Sequence, residues 1–518
     1  MTERQPHTPT RLSRLTVALT WLAAAAAAVA GLLIGASAAE GGVYRVTQCN
    51  PGLGAGHPDI SFGRNSDHYS SEAACEQGRG LSVKHSARRS AAGRWGAWSL
   101  QAPTGTTIRA ITTKLGASAS AGHVPQLFAG FPGSDDTPFS DAAASAARWR
   151  GKGADGFEAR LECRRDGGCG EGAAAKLRVR RIFLKLLDDA LPDTELAGPL
   201  GREATRRGTS VLETTTTDDG AGVRRVFLAV NGEPVGARRL DCSLRRRIAL
   251  RLRPCPSTAD LEFTLDTAAG PFRQGPNGLR VCALDWAPTN DRNRACSVGR
   301  VRVDNECPID EGAEPSRVDA RIEGLGRRGS IRHGRPAHVT GKLLDDGGAP
   351  VPGAQVCVAT RIDTHDAVER VVATPTTDSQ GRFGARLEPG PSREVRVAHW
   401  SDSTHVDEGY LRLGVRARPR LRLRPRRTLH NGERLRFAVR LHGPEAAGRR
   451  VHLKVRNGSR WQILRNGSTT GSGTWHGAYR FRATTGSAVY AFRAFVPRQQ
   501  GYPYDAGRSD VRKAQVAG

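Results

Sequence analysis

Residues 450–497, RVHLKVRNGSRWQILRNGSTTGSGTWHGAYRFRATTGSAVYAFRAFVP, alternate apolar and polar side chains over most of their length. Val451, Leu453 and Val455 share one phase, and His452, Lys454 and Arg456 share the other. After Asn457-Gly458 the pattern resumes with Trp461 and Ile463, and Asn466-Gly467 follows. Tyr479 and Phe481 then alternate with Arg480 and Arg482, and Tyr490, Phe492, Ala494 and Val496 form a last apolar row. A period of two sends successive side chains to opposite faces of a strand, so these runs form an antiparallel meander with one dry face. Asn-Gly is the strongest short hairpin signal, and both pairs are expected to be turns. The two pairs also open Asn-Gly-Ser acceptor tripeptides at 457–459 and 466–468, but hairpin geometry explains them without a glycan.

Upstream, RARPRLRLRPRR (416–427) places arginine at Arg416, Arg418, Arg420, Arg422, Arg424 and Arg426. Leu421 and Leu423 occupy the opposite phase and LRFAVRL (435–441) follows as a partner, so a first strand is expected here rather than a disordered arm. Same-face arginines on a strand stand about 6.6 Å apart, and six of them span roughly 33 Å. Two roles are open for such a face: a stripe that holds a polyanion, or an edge protected from pairing by charge. Pro419 and Pro425 favour the edge, because neither donates to a ladder. From Arg418 onward 22 Lys and Arg stand against only Glu433, Glu445, Asp505 and Asp510, so most of the chain's net charge of +27 resides in this last unit. Charge localised in this way concentrates polyanions at a surface.

A chain of 518 residues exceeds one hydrophobic core, and several domains are expected. Arg4, Arg11 and Arg14 precede an apolar run from Leu15 to Ala36, which ends in Ala-Ser-Ala at 36–38. These are the three parts of a secretory signal peptide (1–38), cleaved after Ala38 or Ala39. The run also has the length of an uncleaved membrane anchor, the one route by which this chain would contact a membrane. The ten cysteines fall as Cys49 and Cys75, Cys163 and Cys169, Cys242 and Cys255, Cys282 and Cys296, with Cys307 and Cys357 left over. They lack zinc-site spacing, and in an oxidising compartment disulfides are the expected state. Spacing alone leaves their connectivity open.

Short alternating runs punctuated by Gly, Pro, Asn and Asp continue along the whole chain, and DAAASAARW (141–149) is the only expected helix. The fold class is therefore all-β, a tandem array of β-sandwiches. Four units follow the inferred signal peptide. Residues 43–192 read as a lectin-like jelly roll, with RRDGG (164–168) expected at a hairpin tip between two cysteines. Residues 193–306 carry Asp219–Val223, the turn Asn231-Gly232, Leu279–Asp285, Asn290 and Val301–Asn305. This order resembles the Ig-like modules of bacterial surface proteins, with a longer loop at DWAPTNDRN. Residues 316–415 hold Val339 to Val358 and a turn formed by Thr377, Asp378, Gly381 and Phe383. They resemble the carboxypeptidase regulatory-like, transthyretin-like family, which implies a seven-stranded sandwich without peptidase chemistry. Residues 416–517 end in Tyr502, Pro503, Tyr504, Gly507, Ser509 and Val511, and resemble a further bacterial Ig-like repeat.

Nucleophile elbows, metal-binding His pairs on a helix and phosphate-binding glycine loops are absent from the sequence, so no metal or cofactor is expected. The turn DSQGRF supplies too few oxygens for a calcium cage. Asp155, Glu158 and Glu162 are the carboxylates from which a sugar hydrolase in 43–192 would be built, though solvated surface charge explains them equally. Trp95 is a candidate for sugar stacking, and Trp98 is expected in the core. The resulting expectation is an exported, non-catalytic envelope or extracellular protein, adhesive, structural, or binding glycans and anionic wall polymers. The alternative is a secreted glycan-active hydrolase with its site in 43–192 and Ig-like spacers. Sequence-specific nucleic-acid recognition is not expected.

Overall fold

The computed structural model describes residues 42–518 apart from 87, 120–121, 133–137, 141–144, 171–173, 288–292 and 312. The inferred signal peptide and the alternative anchor lie outside the described residues, as does Asn290. No helix among the described residues is long and apolar enough to cross a membrane.

Strands dominate, and they pack as four pairs of sheets. In the first sandwich the long strand Lys176–Asp188 pairs with Thr106–Ser118 along one edge, and with Gly42–Gln48 and Gly80–His85 along the other. A four-stranded sheet built from 61–64, 95–101, 156–163 and 123–129 accompanies it. Trp98, Leu100, Leu127, Phe157 and Leu161 from that sheet meet Val46, Ile108, Ile111, Leu184 and Leu186 in one buried cluster.

The next three sandwiches share one topology. Counted within each unit, with the short inserted strands left aside, strands one, three and six form a three-stranded sheet, and strands two, eight, seven, four and five form the other. The three-stranded sheets are 193–197, 209–217 and 258–266; then 316–322, 337–345 and 382–387; then 420–424, 434–440 and 474–480. In each unit the short second strand pairs parallel to the last, as Thr205 beside Arg302, Arg328 beside Arg412, and Leu429 beside Val516. The inner faces carry the apolar residues of the alternation, as expected of a half-buried sheet.

Neighbouring sandwiches interlock. Residues 244–249 lie in the second unit by sequence, yet Ala249 pairs with Val46 and extends the first sandwich's large sheet. Asp188, at the end of the first sandwich, accepts hydrogen bonds from the backbone N–H of Ala221 in the second, at 2.7 Å, and of Ala190. Asp218 and Asp285 lie buried beside it, and the Asn293 amide donates to Asp285 and to the Asp188 backbone carbonyl. The third and fourth sandwiches share a continuous apolar cluster that includes Val356, Val415, Leu421, Tyr502 and Tyr504.

Several local expectations fail for identifiable reasons. Ala146–Ala154 is a strand paired with Ile108–Lys114, not helix; the rest of the expected helix, 141–144, lies outside the described residues. Ala147 is buried there, so pairing and burial override alanine's helical preference. RRDGG is not a hairpin tip, because the strand before it lies in the four-stranded sheet and the strand after it lies in the large one. The first turn falls one residue later than expected, at Gly458-Ser459 with Asn457 still paired to Arg460, and Asn466-Gly467 lies within strand Arg460–Ser468. A Cβ on Gly467 would fall 2.3 Å from Trp475 Nε1, so this glycine makes room for a packed ring. Asn231-Gly232 is a two-residue hairpin turn with φ of 52° and 88°.

Candidate anion-binding face

The arginines of 416–427 do not form one stripe. Arg416 ends the last strand of the third sandwich, Val406–Arg416, and Arg418 lies in the connection. Strand formation in the fourth sandwich is confined to Arg420–Arg424, and Arg426 lies beyond Pro425. The division follows from the apolar residues, since Ala417 is buried in the junction between sandwiches while Leu421 enters the core with Leu423 packed against it. Arg416 and Arg418 therefore line a cleft of 590 Å³ between the third and fourth sandwiches, with Arg332, Arg335 and Arg508. Asp510 pairs there with Arg418 at 3.1 Å.

The remaining three join a larger array. Arg420–Arg424 is the edge strand of its three-stranded sheet and pairs with Arg434–Arg440, which pairs with Thr474–Arg480. Leu421, Leu435, Phe437 and Val439 point into the core, and the alternation sends every arginine of these strands outward. The outer face thus carries Arg420, Arg422, Arg424, Arg434, Arg436, Arg440 and Arg480, all exposed. Arg420 stands opposite Arg440, Arg424 opposite Arg436, and Arg434 opposite Arg480. Strands contribute no carboxylate to this face, and among the described residues none of the seven arginines forms an ion pair. Like charges directly opposed across a strand pair are destabilising, while on the edge strand Arg420–Arg424 the same charges keep further strands from pairing. The arrangement also provides a grid of guanidinium forks, about 4.8 Å apart between strands and about 6.6 Å along them, suited to repeated oxyanions.

The corresponding sheet of the second sandwich has the opposite character. Its strands 193–197, 209–217 and 258–266 expose Asp193, Glu195, Glu213, Asp260, Glu262 and Asp266 and contain no Lys or Arg. Glu213 stands opposite Glu262, and Thr215 donates to Asp260 at 2.8 Å.

In the first sandwich, Glu158 and Glu162 do share one phase of strand Gly156–Cys163, with Arg160 between them, and Glu158 is buried. Each carboxylate is held by an arginine, Glu158 by Arg160 at 2.5 Å and Glu162 by Arg164 at 3.2 Å. Burial pushes the Glu158 carboxyl up, and the charge of Arg160 partly offsets it. The residues paired opposite Glu158 are Ser99 and Phe128, so no second carboxylate faces it across its own sheet, and Asp155 is exposed beyond the strand's start. The Arg160 guanidinium lies 4.6 Å from the Trp95 ring centroid, which occupies one ring face at the position considered for sugar stacking. Trp98 is buried, and its Nε1–H donates to the Ser82 carbonyl.

Five disulfides are present: Cys49–Cys75, Cys163–Cys169, Cys242–Cys255, Cys282–Cys296 and Cys307–Cys357. The last joins the second sandwich's exit to the third, and it borders a buried ion cluster that no local motif announces. Arg396, 1% exposed, places Nη2 2.7 Å from Asp304, Nε 2.8 Å from Glu369 and Nη1 3.3 Å from Glu408. Arg302 reaches Glu369 and Glu394, and the Trp400 indole N–H donates to Asp304 at 2.7 Å. Burial works against the Asp304 carboxylate, but the charge of Arg396 and these hydrogen bonds outweigh it and hold Asp304 below the usual range.

No family model matches this chain, and no curated protein matches it. Among solved structures, a tetra-tandem repeat from the extending region of a large adhesion protein aligns at 10% identity and a TM-score of 0.23, over 82% of this chain and 95% of that one. A Salmonella alpha-2-macroglobulin mutant aligns at 11% identity and 0.20, over 89% of this chain and 32% of that one. The Escherichia coli alpha-2-macroglobulin activated by porcine elastase gives 11% and 0.21, over 89% and 44%.

Proposed function

We propose that this is an exported, non-catalytic protein of the cell envelope or its surroundings, whose last sandwich holds anionic polymers on the arginine face. The observation that carries this reading is the seven exposed arginines with three directly opposed pairs and no carboxylate among them. Regularly spaced phosphates or carboxylates on a polymer match a grid of this pitch and need no sequence recognition. Five disulfides and the charged, apolar start of the chain support export. The second and third sandwiches, resembling Ig-like and carboxypeptidase regulatory-like modules, serve in this reading as stiff spacers stapled at Cys307–Cys357.

The test is binding of the full chain to immobilised inorganic polyphosphate and to neutral dextran. Substituting Arg420, Arg422, Arg424, Arg436 and Arg440 by Ser is expected to weaken polyphosphate binding at least tenfold. Unchanged binding would refute the assignment.

A further inference from the structure

Two of the three topologically equivalent sheets present opposite charge. The second sandwich exposes six carboxylates on strands one, three and six, and the fourth exposes seven arginines on the same three strands. Neither set is neutralised where it stands, because among the described residues none of these thirteen side chains forms an ion pair. The corresponding face of the third sandwich is mixed, with Asp319 beside Arg317 and Arg321.

We propose that the carboxylate face of one molecule docks against the arginine face of another, so that copies of this chain associate head to tail. The proposal deepens the reading of the arginine face as an anion receptor by naming a protein partner for it. The match is geometric as well as electrostatic. Both faces come from antiparallel sheets with the same strand order, and in both the charged side chains stand in rows across adjacent strands. On the acidic sheet these rows are Glu195–Thr215–Asp260 and Ala197–Glu213–Glu262. On the basic sheet they are Arg420–Arg440–Thr474 and Arg424–Arg436–Ala478. Opposed face to face, carboxylates and guanidinium forks meet with the planar, two-oxygen geometry that arginine favours.

The contact is heterologous, since each molecule offers two different patches. Such an interface leaves one free patch at each end and propagates as an open chain or closes as a ring. Three short strands cover on the order of 400 Å² per partner, below the standard size of a stable interface, so each contact is weak. Two charged faces also respond to salt in a defined way. At about 50 mM salt the screening length lies between about 10 and 30 Å, which damps repulsion between whole molecules of high net charge while leaving touching pairs intact.

Sedimentation equilibrium of the full chain at about 50 mM and about 500 mM salt tests this. The average mass is expected to rise with concentration at the lower salt and to return to that of a single chain at the higher. E213Q/D260N/E262Q and R422S/R436S/R440S change only exposed side chains, and each is expected to stay monomeric alone. Mixed in equal amounts, they are expected to form one-to-one pairs and nothing larger, because only one working patch of each kind remains. Wild-type protein that stays monomeric at the lower salt, either variant still associating alone, or a mixture that does not pair would each overturn the proposal. The carboxylate variant retains its arginines, so its polyphosphate binding reports separately on the arginine face.

Discussion

Arg420 stands directly opposite Arg440 across an antiparallel strand pair, both side chains exposed and, among the described residues, neither paired with a carboxylate. Four residues along the same strand, beyond Arg422 opposite Ala438, Arg424 meets Arg436 in the same way. The repetition identifies a property of the face, and it carries a stability signature.

Replacing Arg440 by Thr removes one like-charge opposition and adds a residue that suits a strand. The last sandwich is expected to gain on the order of 0.2–1 kcal/mol, the range for a directly opposed cross-strand pair. Urea unfolding followed by the fluorescence of the fourth sandwich's tryptophans, Trp461 and Trp475, checks this with other tryptophans replaced by Phe. The gain should shrink as salt is added, because both partners are exposed.

At the first junction, Asp188 and Asp285 share a buried site. Burial is the larger cause pushing each carboxyl up, with neighbouring carboxylate charge adding to it. A folded-state pKa above the unfolded one means that the folded protein holds the proton more tightly. The stabilisation is therefore full below about pH 4 and is lost as pH rises through the elevated folded values. The junction between the first two sandwiches should open more readily at pH 8 than at pH 5. Limited proteolysis near residue 190 reports this, and D285N should flatten the difference.

At the second junction, R396M leaves Asp304 and Glu369 buried without their central cation. Removing one partner of a buried ion cluster costs about 3–5 kcal/mol, far more than loss of an exposed pair. Chemical denaturation should show the third sandwich destabilised by that order. A change below about 1 kcal/mol would mean that Arg396 is not the cluster's anchor.

Removing Cys307–Cys357 by paired Ser substitution frees a loop of 50 residues. The chain-entropy relation gives a loss of about 4 kcal/mol for a loop of that length. C307A/C357A should lose as much as the Ser pair in denaturant midpoint, with the other four bridges intact, if the bridge acts through the chain rather than through local packing.

The alternation of 450–497 was enough to read strands and a sandwich, because a period of two is a local property. A register shift beside Leu453, however, leaves Ile463 54% exposed and packs Leu464 against the core instead. The neighbouring cysteines also read well, since short loops bring their partners together. What was not legible depended on register or on distance. Gly467 looks like half of a turn until Trp475, on another strand, claims the space above it. The arginines of 416–427 look continuous until Ala417 is drawn into the junction and ends the row. Arg396 meets Asp304, Glu369 and Glu408 across gaps that no motif spans. The acidic face of the second sandwich was invisible for the same reason, since only pairing gathers Glu195, Glu213, Asp260 and Glu262 onto one side.

The salt dependence of polyphosphate binding bears most directly on the arginine face. Each phosphate contact contributes about 0.7–0.9 to the slope of log affinity against log salt, so R422S/R436S/R440S should lower that slope by about two. A control triple, R88S/R89S/R148S, removes exposed arginines from the first sandwich and should leave it unchanged. Equal loss in the two variants would mean that binding follows net charge alone and would contradict a dedicated face.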